Sequence, residues 1–219
     1  PNFGLFIAAA FLFGAFKGAF NVSVNTQAIT VENALRKPVI PSFHALWSFG
    51  GMLAAFAVGA AMKFSIPPVA IILGVLCLIG TLFVLFAPHL LDGDAHPVST
   101  DEKSPRFRLP GGMLLKIGVV TFMVLFAEGV MMDWSVVYAR TVSGAEPWLA
   151  PIAYGIFAGC MATGRVFGGT LISRLGPSHL LRFGGVLCMI GLVLVTTVHH
   201  WPATFLGFAL TGLGLSNLI

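Results

Sequence analysis

The stretch PVAIILGVLCLIGTLFVLFAP, residues 68–88, decides the fold class. Between Pro68 and Pro88 it holds no charged side chain and little beyond Cys77 and Thr81 that forms a hydrogen bond. The hydrocarbon core of a bilayer, about 30 Å thick, is crossed by roughly 20 apolar residues of helix at about 1.5 Å each, and this run has that length. Working outward in both directions, charges and turn residues cut the chain into seven helical candidates, at 3–31, 40–62, 68–88, 112–135, 150–172, 180–198 and 202–219. The breaks fall at Arg36-Lys37-Pro38, Ile66-Pro67-Pro68, Gly176-Pro177 and His199-His200-Trp201-Pro202, where proline and glycine disfavour a continuous helix.

Composition agrees. With 57% hydrophobic residues, 9% charged residues and a mean hydropathy of +0.94, the 219-residue chain needs lipid as its solvent. The expected class is an all-α, polytopic transmembrane helix bundle. The net charge of +4 sets topology in such a chain and does not point to nucleic acid. Cys77, Cys160 and Cys188 lie in apolar runs without a C-x-x-C spacing, so neither a disulfide framework nor a metal site is expected, and the three are read as small core residues. No cofactor is expected either. Pro1 stands just before an apolar run and Ile219 ends inside another, so further helices are expected beyond both ends. No cleavable signal pattern is visible at the start.

One connection is long and polar. Residues 89–111 carry Asp92, Asp94, Asp101, Glu102, Lys103, Arg106 and Arg108, and divide the chain into residues 1–88, with three helices, and residues 112–219, with four. Counting basic residues in alternate connections places Arg36, Lys37, Lys103, Arg106, Arg108, Arg174 and Arg182 on one side and only Lys63 and Arg140 on the other. The positive-inside rule then makes the 89–111 loop cytoplasmic and puts residue 1 outside.

Polar side chains are unevenly shared. Lys17, Asn21 and Asn25 repeat every four residues on the first helix and share a face that Gln27 and Glu32 continue. A lysine inside an apolar helix costs about 2.5 kcal/mol unless it is paired or solvated, so that face is expected to meet a cavity or a partner. His44 and Ser48 stand one turn apart on the second helix. Thr121, Glu128 and Ser135 line up on the fourth, with Asp133 nearby, and Tyr154 and Arg165 stand three turns apart on the fifth. The third and sixth helices have no comparable stripe. Two polar helices followed by an apolar one, repeated, describe a water-accessible path ringed by scaffold helices. Small residues at helix-packing spacing, Gly51, Ala55 and Gly59 on the second helix and Gly155 and Gly159 on the fifth, fit close backbone approach.

The run Gly169-Thr170-Leu171-Ile172-Ser173-Arg174-Leu175-Gly176, preceded by Gly164-Arg165, resembles the cytoplasmic loop pattern G-x-L-x-D-R-x-G of the major facilitator superfamily, with Ser173 replacing the acid. That resemblance implies a transporter of two halves joined by the 89–111 loop, the seven helices here matching the fourth to tenth of the family. The motif positions are Arg165, Gly169, Leu171, Arg174 and Gly176. Asn25 to Glu32, Ser42-Phe43-His44 with Ser48, and Glu128-Gly129 with Asp133-Trp134 look similar to the YbjJ-like branch of bacterial inner-membrane permeases.

The resemblance implies secondary active transport of a small solute by alternating access in the inner membrane, by a monomer. Symport and antiport both stay open, as do the substrate and the direction. Coupling to H+ is the preferred reading. Glu128 is the candidate titrating carboxylate and Lys17 or His44 its alternating partner, with substrate hydrogen bonding or helix packing as the other roles open to Glu128. Arg165 is read as stabilising the cytoplasmic helix ends. The candidate pathway residues are thus Lys17, Asn21, Asn25, His44, Ser48, Glu128, Asp133 and Tyr154. A channel, sensor or scaffold is the alternative. A membrane enzyme is disfavoured, because H-E-x-x-H and G-x-S-x-G are missing and the adjacent His199 and His200 would point about 100° apart on a helix.

Overall fold

Every apolar run becomes a helix. The computed structural model describes residues 2–37, 39–90 and 111–218. They form α1 (Phe3–Leu35), α2 (Ile40–Lys63), α3 (Pro68–Phe86), α4 (Gly112–Thr141), α5 (Ala150–Leu175), α6 (Pro177–Thr197) and α7 (Trp201–Leu215), with a short 3₁₀ turn at Ala87–His89. No strand occurs among the described residues. Six of these helices, α1 to α6, are long and apolar enough to cross a membrane. At 15 residues α7 is about 22 Å long, short of that length. The all-α transmembrane bundle expected from the sequence is what forms. Residues 91–110 of the polar 89–111 connection lie outside the described residues.

The helix ends correct the sequence boundaries in an instructive way. α1 runs four residues past 31, because the polar Gln27 and Glu32 do not break a helix; it stops where Arg36 adopts the left-handed conformation at φ 50°. α4 runs past 135 to Thr141, unbroken by the polar Asp133-Trp134-Ser135, and Gly144 (φ 70°) then lies in the turn that follows. α6 starts at Pro177 instead of 180. Gly176, at φ 79°, makes the whole turn from α5, and proline is at home in the first turn of a helix, where its missing N–H costs nothing.

The described residues fall into two units. In the first, which holds α1, Ile40 and residues 80–90, Glu32 Oε2 accepts hydrogen bonds from the backbone N–H groups of Val39 (2.9 Å) and Ile40 (3.1 Å). A carboxylate from the end of α1 thus caps the start of α2, satisfying donors that a helix N-terminus leaves unpaired. Asn25 Nδ2 donates to Asn21 O (2.9 Å) and Asn21 Oδ1 (3.2 Å), so these two amides of the polar stripe partner each other along α1, where Lys17, Asn21 and Asn25 are all exposed.

The second unit comprises residues 41–79 and 111–218. Its core lies among α4 to α7, around Val124, Met131, Phe157, Met161, Phe205 and Phe208. α6 and α7 pack antiparallel at backbone distance: a Cβ added at Gly191 would stand 2.5 Å from Gly207 O, and one at Gly184 would stand 2.6 Å from Gly214 O. Where lipid offers no hydrophobic gain for helix association, this closeness supplies the dispersion contacts that do. Two polar clasps reinforce the core: Tyr138 Oη donates to Val195 O at 2.8 Å, and the buried hydroxyls of Ser143 and Thr204 stand 2.6 Å apart. α3, by contrast, buries none of its residues. Cys188 is buried and Cys160 half-buried, but Cys77 is exposed on α3, so the reading of all three as core residues fails there because that helix has no buried face.

Candidate functional site

α2 and α5 run antiparallel along a seam of small residues. Going down α2 and up α5, Gly59 faces Ile152, Ala55 faces Gly155, Met52 faces Gly159 and Ser48 faces Arg165. A Cβ at Gly155 would stand 3.1 Å from that of Ala55. The seam puts Tyr154 on α2 as well: its hydroxyl occupies the space beside Gly51, and its ring lies 6.3 Å from that of Phe157.

At the Ser48 end the seam becomes polar. Arg165 Nη1 donates to Ser48 Oγ at 2.5 Å and to His44 O at 3.4 Å, while Nη2 donates to both carboxylate oxygens of Glu128, Oε1 at 3.4 Å and Oε2 at 3.3 Å. Ser48 Oγ itself donates to His44 O at 3.2 Å. The Arg165 and Glu128 side chains are only 11% and 16% exposed. One guanidinium therefore joins α2, α4 and α5. Pairing is what allows two charges to sit on helices otherwise so apolar, since each alone would need water. The bond to Glu128 runs through one nitrogen rather than two, so it lacks the fork geometry that makes the tightest arginine–carboxylate pairs.

Of the sequence candidates, Glu128 and Ser48 meet at this junction. His44 contributes its backbone carbonyl, and its exposed side chain has no part in the contacts just described. Asp133 is exposed on α4, and Lys17, Asn21 and Asn25 belong to the other unit. The partner of Glu128 is Arg165, not the Lys17 or His44 expected from the sequence. A signal for that pairing was present. Glu128 lies 13 residues before the end of α4 at Thr141 and Arg165 lies 15 after the start of α5 at Ala150, so an antiparallel hairpin brings them to the same depth. Ser135, two turns beyond Glu128 on the same face, is 2% exposed, and its hydroxyl has no hydrogen-bond partner among the described residues.

The loop motif occupies the last turns of α5. Gly169 and Arg174 are exposed and Leu171 is half-buried. Ser173 Oγ donates to Thr170 O at 2.9 Å, and Gly176 closes the helix with its N–H on Ile172 O. The serine in place of the motif's acid thus spends its hydroxyl on its own helix.

The chain is 33% identical over 211 residues to an uncharacterized MFS-type transporter of Yersinia pestis, covering 96% of this chain and 54% of that protein. It is 31% identical to an uncharacterized transporter of Sinorhizobium fredii, over 100% of this chain and 58% of the relative. To the membrane protein MosC of Rhizobium meliloti it is 28% identical, over 100% and 53%. The chain therefore spans a little over half the length of the curated relatives it matches. No solved structure matches it. The Major Facilitator Superfamily matches over residues 1–219, the full stretch of helices just described, and the chain is a multi-pass membrane protein belonging to that superfamily.

Proposed function

We propose that the chain forms part of a secondary active transporter that moves a small solute across a bacterial inner membrane by alternating access, coupled to H+ through Glu128. The observation that carries this reading is the Arg165 junction, where a carboxylate able to take up a proton is held by the same guanidinium that grips α2. With Glu128 ionised, Arg165 binds α4 and α2 together. A proton on Glu128 removes the charge from one side of that bridge and leaves Arg165 with Ser48 and the His44 carbonyl, so protonation biases how α4 and α5 sit against α2. The likeness to two relatives known as transporters supports transport, and the resemblance to inner-membrane permeases supports the membrane.

In this reading residues 1–88 end one half of the transporter, 112–219 begin the other, and the 89–111 loop joins them on the cytoplasmic side with residue 1 outside. The protein works as a monomer and is not an enzyme. The test is flux of a labelled solute panel in vesicles holding the full-length protein, with and without an imposed proton gradient. A gradient-driven flux that Glu128→Gln uncouples from the gradient is expected. Flux whose gradient dependence survives that substitution would overturn the coupling role, and no flux from correctly inserted protein would overturn transport itself.

A further inference from the structure

The end of the α2–α5 seam opposite Arg165 is tied by a different chemistry. Lys63, the last residue of α2, holds its ammonium 4.6 Å from the centroid of the Trp148 ring, within cation–π reach. Trp148 lies in the α4–α5 connection, two residues before α5 begins, and its indole N–H donates to Glu146 Oε2 at 2.6 Å. Its backbone carbonyl crowds Gly59, where an added Cβ would stand 2.8 Å from it. One residue thus meets α2 through its ring face and its carbonyl, while a carboxylate fixes the orientation of the ring.

We infer that Lys63 and Trp148 form a latch that holds this end of the seam shut in the conformation described, and that it must part for the path beside α2 and α5 to open there. The chemistry suits a reversible clasp. Both Lys63 and Glu146 are exposed at the rim, so water replaces each partner when they separate, and no charge is left stranded in an apolar environment. The Arg165 end is the contrast: there the two paired charges are mostly buried, whereas at the Lys63 end an exposed cation rests on a ring. The seam between them is a row of glycines and alanines on which Met52, Tyr154 and Ile152 are seated, with no charged group along it until Arg165. This inference rests on the alternating-access reading.

The first measurement needs neither substrate nor gradient. In the full-length protein with its own cysteines replaced, Ile152→Cys reports the seam beside Gly59 through its labelling rate with a membrane-impermeant maleimide. Lys63→Gln and Trp148→Leu are expected to speed labelling by about two- to five-fold, the range that an exposed cation–π contact spans, with Trp148→Phe in between. Equal rates in the parent and both variants would overturn the latch, as would Trp148→Phe labelling as fast as Trp148→Leu. Lys63 is exposed, so Lys63→Gln carries the test even where Trp148→Leu fails to fold. The second measurement joins Lys63→Cys and Trp148→Cys with a short thiol cross-linker and follows solute flux. Loss of flux on cross-linking is expected, and flux that persists at full cross-linking overturns the requirement that this end part. The labelling result stands whether or not a transported solute is found, so failure of the latch and failure of the transport reading are told apart.

Discussion

Arg165 holds Glu128 with a single nitrogen, Nη2 lying 3.3 Å from Oε2 and 3.4 Å from Oε1, while Nη1 is drawn to Ser48 at 2.5 Å. The guanidinium is seated closer to α2 than to the carboxylate that neutralises it. Such a pair is kept by the cost of separating it rather than by ideal geometry. Removing one member leaves the other charged and mostly out of water, which costs about 3 kcal/mol. Arg165→Met alone is therefore expected to lower the thermal midpoint of the purified protein markedly, and Arg165→Met with Glu128→Gln to recover most of the loss. Equal destabilisation in the single and double variants would show that the arginine matters through packing and Ser48 alone.

Glycine at the α6–α7 crossing makes a sharper test of packing. A Cβ at Gly191 would meet Gly207 O and Thr211 Oγ1, both at 2.5 Å, whereas nothing stands within 4 Å of one at Gly185 on the same helix. Gly191→Ala is expected to destabilise by about 1–3 kcal/mol through overpacking. Gly185→Ala is expected to be neutral or to stabilise by up to about 1 kcal/mol, because alanine loses less freedom in a helix. Thermal melts of the two variants, side by side in one detergent, check both signs.

The cap on α2 gives a local prediction. Glu32→Ala leaves the N–H groups of Val39 and Ile40 without their acceptor and is expected to cost about 1 kcal/mol, the usual size of a lost N-terminal cap. Hydrogen exchange is the direct readout. The amides of Val39 and Ile40 should exchange about fivefold faster or more in Glu32→Ala and less so in Glu32→Gln, which keeps an oxygen acceptor.

The helices were legible because the sequence obeys one strong rule, apolar runs long enough for a bilayer, punctuated by Pro and Gly; the charge-free run 68–88 needed no further help. Their ends were less so. Pro177 looks like a breaker in sequence yet starts α6, since the same ring that forbids a helix interior favours its first turn. The polar stripes were legible as faces, but a face does not say which helix it meets. That is why Glu128 and Ser48 were both picked out while the residue between them, Arg165, was assigned to a helix end. Nor did the seam reveal its register: Gly51, Ala55 and Gly59 announce close packing, but only the fold says that Gly155 and Gly159 lie across from them. The Lys63–Trp148 contact joins a helix end to a residue of the α4–α5 connection, where periodicity gives no signal at all.

Ser135 is the polar group that packing alone explains least. It continues the Glu128 face of α4 and is 2% exposed, yet its hydroxyl is unpartnered among the described residues, while the neighbouring clasps of Tyr138 and Ser143 are both made. A buried hydroxyl without a bond costs about 1–3 kcal/mol, and Ser135→Ala removes the group while leaving almost the same volume. The variant is therefore expected to melt at the same temperature as the parent or higher. Ser135→Thr, which keeps the hydroxyl and adds a methyl to a filled site, is expected to melt lower. A fall in the midpoint for Ser135→Ala would mean that the hydroxyl gains a bond in the full-length protein, and this residue would then join Glu128 as a polar group that α4 turns toward its neighbours for a purpose other than packing.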